Sequence, residues 1–473
     1  MIHTFSLNNM YFAVDGNSGS VHMLDELSFR LLSEMQELVP LESVIGIIRD
    51  KEKNGASFSG NPDAKPVAAY SYEEIEEAYS EIKELKEQGL LFTGPQEIEK
   101  AVSIKNMPDS IKALCLHVSH DCNLTCEYCF ASKGDYKSGR KLMDRDTALK
   151  AVDYLVENSG SRKNIEIDFF GGEPLLNFAV VKDVVDYGRE LEKKTAKKFC
   201  FTITTNGMLL DDEKIRFINE YMDNVVISID GRKDIHDSIR RDRSGRGTYD
   251  RIVPLVQKLV NERKGKSYYI RGTFTSRNMD FSNDVKHLAS LGFREISIEP
   301  VVGSGDELFI KDDDVPHILS EYEKFAVEYA KSVQEGRNSF NFYHFNINLY
   351  EGPCIYKKIA ACGAGFEYFA VSPEGFLYPC HQFVGQNEFI IGDIINGINN
   401  TKLSDSFRRN NILTKEKCTD CWAKLYCSGG CHANAWYSNG DTSVPNETAC
   451  ILQKKRIECA IMIQAAKSNQ SVE

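Results

Sequence analysis

Three features are missing from this chain, and each absence narrows what it can be. No stretch approaches the roughly 20 consecutive apolar residues that a membrane helix needs, so helical membrane insertion is excluded. No basic surplus exists: 57 Lys and Arg face 69 Asp and Glu, a net charge of −12. A general nucleic-acid binder is therefore not expected, because backbone phosphates would go unneutralised. The opening MIHTFSLNNMYF has no basic segment followed by an apolar core, so it does not read as a secretory signal. Internal repeats and low-complexity tracts are absent as well. These absences point to a cytoplasmic protein, whose thiols stay reduced. What the chain does have is cysteine, fourteen in all among 473 residues. In a reducing compartment, tightly clustered cysteines read as metal ligands and isolated ones as buried thiols. With 42% hydrophobic and 27% charged residues, the composition is that of a soluble globular protein of two to four domains.

Five regions are expected: 1–98, 99–305, 306–349, 350–460 and a tail at 461–473. The first contains no cysteine. It opens with strand-like Tyr11–Val14 and Val21–Leu24 around the turn-rich 15–19, then turns helical. Its clearest helix starts at Ser71, with Glu74 completing a capping box. Ile75, Tyr79, Ile82 and Leu85 fall at helical spacing, and Gly89 ends it. In the second region, apolar runs at 113–118, 165–170, 200–205, 225–229, 268–275 and 295–299 alternate with helical patterns. Alternation of this kind implies a parallel α/β sheet. Six units are too few for a closed eight-stranded barrel, so a partial (β/α)6 barrel is expected. A bridging helix spans roughly 315–334. The fourth region holds nine cysteines among short strands and turns: Cys354, Cys362, Cys380, Cys418, Cys421, Cys427, Cys431, Cys450 and Cys459.

Directly after the first barrel strand comes Cys122-Asn-Leu-Thr-Cys126-Glu-Tyr-Cys129. Three thiolates at this spacing can hold one corner of a cubane cluster, leaving an iron open to a cofactor; the bland reading is zinc with an unfound fourth ligand. The C-x3-C-x2-C motif in this place resembles the hallmark of the radical S-adenosylmethionine (SAM) superfamily. The resemblance implies that Cys122, Cys126 and Cys129 ligate a catalytic [4Fe–4S] cluster whose open iron binds SAM, yielding a 5′-deoxyadenosyl radical. Gly171-Gly172-Glu173-Pro174 follows the second strand, as the family's GGEP motif does. The glycines would let backbone approach the ligand, and Glu173 would accept its ammonium. Thr204 and Asn206 sit at the barrel mouth, Ser228 and Asp230 suit ribose hydroxyls, and Arg240 resembles the arginine that meets the cofactor carboxylate. Tyr128 is expected near adenine. All lie at strand C-terminal ends, where barrels build active sites.

The later cysteines resemble the SPASM domain of radical peptide-modifying enzymes. That resemblance implies that Cys418, Cys421, Cys427 and Cys450 hold one auxiliary [4Fe–4S] cluster, and Cys362, Cys380 and Cys431 a second, nearer the active site. A single zinc site on Cys418, Cys421, Cys427 and Cys431 is the alternative. Cys354 is either a fourth ligand of the nearer cluster or a free active-site thiol. Cys115 and Cys200 are expected in strand cores, and Cys459 has no assigned partner. The first hundred residues resemble a winged-helix-like recognition element that captures a leader peptide by strand addition; a domain that merely stabilises the barrel is the alternative. The whole resembles the maturases of six-cysteine (SCIFF) peptides. The expected activity is thus thioether formation between a cysteine sulfur and a carbon of a cysteine-rich precursor peptide, with flavodoxin or ferredoxin as electron donor. Other radical modifications, such as sulfatase formylglycine formation or carbon–carbon crosslinking, are the alternative, and a non-catalytic zinc and peptide binder is a third reading.

Overall fold

The computed structural model describes residues 1–54, 65–95, 110–303, 307–349 and 355–468. A three-stranded antiparallel sheet comes first: β1 (Ile2–Leu7), β2 (Met10–Asp15) and β3 (Val21–Leu24), in that order across the sheet. β2 and β3 fall where the sequence places strands, whereas β1 was not anticipated. Polar His3, Thr4 and Ser6 dilute its pattern, and only Ile2 and Phe5 are buried. The helices Glu26–Ser33, Leu41–Lys53 and Tyr72–Glu87 follow. The last starts on the expected capping box: the Glu74 amide donates to Ser71 Oγ at 3.2 Å and the Ser71 amide to Glu74 Oε2 at 2.7 Å. Ile75 and Ile82 are buried beneath it, and Gly89 takes the left-handed φ of +71° just beyond its end.

The central sheet carries β4 (Ala113–His120), β5 (Lys141–Leu142), β6 (Asn164–Gly171), β7 (Lys198–Thr205), β8 (Asn224–Ser228), β9 (Ser267–Phe274) and β10 (Glu295–Pro300). β4, β6, β7, β8, β9 and β10 lie side by side in chain order and pair in parallel, with β5 antiparallel on β4. Each expected apolar run is one of these six strands. Ile165, Ile167, Phe169, Phe199, Phe201, Val225, Ile227 and Ile270 are fully buried on the outer side. Each such side chain contributes about 1.5–3 kcal/mol by leaving water. The alternate residues turn to the interior, which is where polar groups collect. The array stays open, because β10 meets β11 (Asn341–Phe342) and β4 meets β12 (Tyr368–Val371) instead of each other.

Two features differ from the sequence reading. β12, β13 (Phe376–Tyr378), β14 (Gly392–Asp393) and β15 (Gly397–Ile398) continue the central sheet from its β4 edge. The cysteine-rich region is thus built onto the barrel sheet, a pairing that no local pattern announces. Residues 461–468, expected as part of a tail, end the long helix Glu447–Ser468. Ile461, Met462, Ile463 and Ala466 are buried there, against the helix Val315–Gln334, which has the expected bounds. Among the described residues no helix is long and apolar enough to cross a membrane.

Candidate active site

The loop after β4 carries Cys122, Cys126 and Cys129, and its shape is set by its neighbours. The Thr125 amide donates to the Arg241 carbonyl at 2.8 Å and the Glu127 amide to that of Ile239 at 3.2 Å. Arg243 Nε donates to the Cys122 carbonyl at 2.9 Å, and its guanidinium pairs with Asp121. On the other side runs Gly171-Gly172-Glu173. The Gly172 amide donates to the Ser119 carbonyl at 2.7 Å and the Glu173 amide to that of Asp121 at 2.8 Å.

This lacing gives the paired glycines a different reason from the expected one. A Cβ on Gly171 would lie 2.2 Å from the Ser119 carbonyl oxygen, and one on Gly172 2.2 Å from that of Asp121. The close approach seen here is to the cluster loop's own backbone. Gly172→Ala must therefore push the two loops apart, at a cost on the order of 3 kcal/mol. The expected result is a lower thermal midpoint together with iron lost from reconstituted protein, read by melting and iron analysis; a normal melt with full iron content would contradict it.

Glu173 also differs from expectation. It is fully buried, and its carboxylate accepts from the Leu175 amide at 3.0 Å, Thr205 Oγ1 at 2.8 Å and the Asn206 amide at 2.8 Å. Burial raises its pKa, against these three donors. It joins the loops after β6 and β7. Asn206 is thereby aimed at the cluster loop, its Nδ2 donating to Asn123 Oδ1 at 2.8 Å and lying 3.6 Å from Cys122 Sγ. Asp230 is buried as well, accepting from Tyr128 Oη at 2.8 Å and the Thr273 amide at 3.2 Å. Arg240 donates through Nη1 to the same Tyr128 oxygen at 2.8 Å, while its Nε is buried without a partner among the described residues. Burial raises the Asp230 pKa, and Arg240 and Tyr128 oppose it. Neither Glu173 nor Asp230 lines the cavity described next; each holds a residue that does.

That cavity, about 510 Å³, lies inside the open sheet and is of the size that takes a small cofactor. Cys122, Cys126, Cys129, Tyr128, Thr204 and Ser228 line it, as do Gly171, Gly172, Asn206 and Arg240. Cys427, Cys431 and Cys450 line the same space from the C-terminal region. One cavity thus joins the first cysteine motif to the later array. Burial pushes Cys122 up to about 12, helped by the Glu173 charge, and Cys126 up to about 11, opposed by Arg240. As free thiols they would be neutral; a bound cationic metal is what would hold them as thiolates. Cys418, Cys421, Cys427 and Cys450 lie within electrostatic reach of one another, and Cys362, Cys380 and Cys431 do likewise. Buried Lys415, which the sequence reading passed over, donates to the Gly429 carbonyl at 2.8 Å and faces thiols of both sets. Two groups of thiols around one cation suit anionic clusters. No three His, Cys, Asp or Glu side chains among the described residues converge as single-ion ligands; a cubane holds its thiolates farther apart than one ion does. Cys115 and Cys459 are buried core residues, and Cys200 is half-buried on β7. Cys354 lies outside the described residues.

The first motif and its barrel match the model of the radical SAM superfamily over residues 116–279, and residues 362–422 match SPASM, an iron–sulfur cluster-binding domain. The chain is a radical SAM enzyme that carries a SPASM domain. A radical SAM domain implies a [4Fe–4S] cluster and SAM, and the SPASM domain binds iron–sulfur clusters. The chain is 23% identical to the radical SAM cyclopropyl synthase TigE of Paramaledivibacter caminithermalis, over 81% of this chain and 83% of that protein. It is 25% identical to the cysteine-type anaerobic sulfatase-maturating enzyme of Clostridium novyi, over 69% and 88%. Streptococcus suis SuiB, solved with its precursor peptide SuiA, shares the fold over 94% of this chain and 98% of its own, with TM-score 0.52 and 17% identity.

Proposed function

We propose that this enzyme is a peptide maturase that forms a thioether between a cysteine sulfur and a carbon of an acceptor residue in a ribosomally made, cysteine-rich precursor peptide. The observation that carries the reading is the single cavity lined both by Cys122, Cys126 and Cys129 and by Cys427, Cys431 and Cys450. In this reading the first three ligate the catalytic cluster, Cys418, Cys421, Cys427 and Cys450 one auxiliary cluster, and Cys362, Cys380 and Cys431 another, three [4Fe–4S] clusters in all. When bound and reduced, the catalytic cluster with SAM supplies a 5′-deoxyadenosyl radical. Tyr128, Thr204, Ser228 and Arg240 position SAM, and the buried carboxylates of Glu173 and Asp230 hold that shell in place. A flavodoxin or ferredoxin serves as reductant.

The first domain is read as a winged-helix-like leader-binding element. Among the described strands β3 pairs with β2 alone, leaving an edge to which an extended peptide can add. SuiB, whose likeness extends over this region, was solved with a precursor peptide. The turn after β2 and β1 also pack on the auxiliary-cluster segment: Lys424 Nζ donates to Asn17 Oδ1 at 2.7 Å, and His3 of β1 stacks on Trp422 at 4.1 Å. A leader bound to this domain would therefore be anchored to a unit that packs on the cysteine-bearing segment.

The test is anaerobic turnover of the reconstituted enzyme with a cysteine-rich precursor. The expected product is lighter by two hydrogens per crosslink, with one thiol per crosslink resistant to alkylation. An aldehyde product with no thioether would favour the formylglycine chemistry of the sulfatase-maturating relatives and overturn this reading.

A further inference from the structure

The cavity has a second wall that the cluster residues and the SAM shell do not use. It is built from the inward-facing residues of β9 and β10 and from the C-terminal helix. Arg271 on β9 pairs in register with Ser297 on β10, and Thr273 with Glu299. Arg271 and Glu299 both line the cavity, as does Arg456 from the helix Glu447–Ser468. Glu299 lies 3.4 Å from Arg456 Nη1 and 3.5 Å from His344 Nε2. Arg456 Nη1 also meets His344 Nδ1 at 2.8 Å, and Ser297 Oγ holds the other face of that ring at 3.2 Å. Glu299 is thus matched to Arg456. Arg271 is exposed to the cavity and has no hydrogen bond or ion pair within 4 Å to any described residue.

The charges do not cancel. Two guanidinium groups face one carboxylate. Burial pushes His344 down to about 4, so at neutral pH it adds no charge. Burial would raise Glu299, but the charges of His344, Arg456 and Arg271 outweigh it and lower its pKa; at neutral pH, with His344 uncharged, the two guanidiniums hold it ionised. On this wall one positive charge is left over, on Arg271, in a cavity that Cys122, Cys126 and Cys129 also line. A guanidinium with no anionic partner among the described residues calls for an anion from the ligand.

From this wall we infer that Arg271 is the binding site for the donor cysteine of the peptide and holds its sulfur as the thiolate. The inference rests on the thioether reading above. The S–H proton leaves to solvent when the cysteine binds, and the sulfur waits in the same cavity where the acceptor carbon is activated. A guanidinium beside a thiol lowers its pKa, here by roughly one unit or more. The other groups around Arg271 are Glu299, His344, His381 and, behind them, Arg456 and Tyr322. Burial also pushes His381 down to about 4 and raises Tyr322. None of these changes charge between about pH 6 and pH 9; buried Asp168 on β6, pushed up to about 7, does, but its limb is common to wild type and Arg271 variants, so a limb that moves with Arg271 belongs to the bound thiol.

The experiment compares wild type, Arg271→Gln and Arg271→Lys as holoenzymes with the same precursor, following thioether and 5′-deoxyadenosine separately across that pH range. Wild-type thioether formation rises with pH along a limb below the ordinary thiol pKa. In R271Q the limb moves up by roughly one unit, so the rate is about tenfold low near neutrality and recovers in alkali, while peptide-dependent 5′-deoxyadenosine persists. R271K keeps the wild-type limb. If 5′-deoxyadenosine and thioether fall together at every pH with the limb unmoved, the assignment is wrong and Arg271 serves SAM or the fold. If the wild type itself makes no thioether, the thioether reading fails, and the donor-cysteine site falls with it.

Discussion

Replacing Cys122, Cys126 and Cys129 together with alanine lowers 5′-deoxyadenosine formation by roughly 10³-fold or more, and so does replacing any one of them alone. The near-equality of single and triple variants is the sharper part of the expectation, because residues that act as one unit lose their effect together. On the three-cluster reading proposed above, the iron content of reconstituted protein falls from about twelve to about eight per chain, the loss of one cubane. The remaining iron and sulfide, and their absorbance, stay, because the SPASM cysteines come from other segments. Folding is not the cause of the loss: the cluster loop is held by backbone bonds to residues 239–241 and by Arg243 on the Cys122 carbonyl, none of which needs a thiol. Three variants that keep full iron and make 5′-deoxyadenosine at wild-type rate would remove the basis of the whole functional reading. Zinc in place of iron, with no sulfide, would do the same.

Much of the fold could be read in advance, because its signals are local. The six runs that became β4 and β6–β10 are short apolar segments separated by helical patterns, and the capping box at Ser71 and Glu74 is a four-residue pattern. The cysteine groups were legible for the same reason. What escaped depends on contacts distant in sequence. The pairing of β12 with β4 joins residues about 250 positions apart, as Tyr368 against Ala113 shows. The helix Glu447–Ser468 is covered on several sides, so no single apolar stripe marked it as core. Gly171 and Gly172 looked like ligand-approach glycines, but whether a Cβ meets ligand or backbone is fixed by the third dimension. Arg271, Glu299 and Arg456 carry no motif, and only their convergence on one cavity gives them meaning. Glu173 and Asp230 were recognised as important residue types, but their partners could not be foreseen.

Those partners lead to the second large effect. Asp230 has 1% side-chain exposure and Arg240 9%, with 3.9 Å between carboxylate and guanidinium and Tyr128 Oη bonded to both. Arg240→Met removes the only cation of the trio and leaves a buried carboxylate uncompensated. Breaking such a pair destabilises by about 3–5 kcal/mol, so the single variant is expected to melt early and to bind SAM poorly. Two causes are then mixed, and the double variant Asp230→Asn, Arg240→Met separates them. With the buried charge gone, most of the stability should return, because replacing both members of a buried pair is far milder than removing one. SAM binding should not return, since the guanidinium whose buried Nε has no partner among the described residues is still missing. The expected pattern is therefore a recovered melting temperature with SAM affinity and 5′-deoxyadenosine formation still at least about tenfold down. If the double variant regains SAM binding along with stability, Arg240 only neutralises Asp230, and its placement against the cofactor carboxylate is wrong.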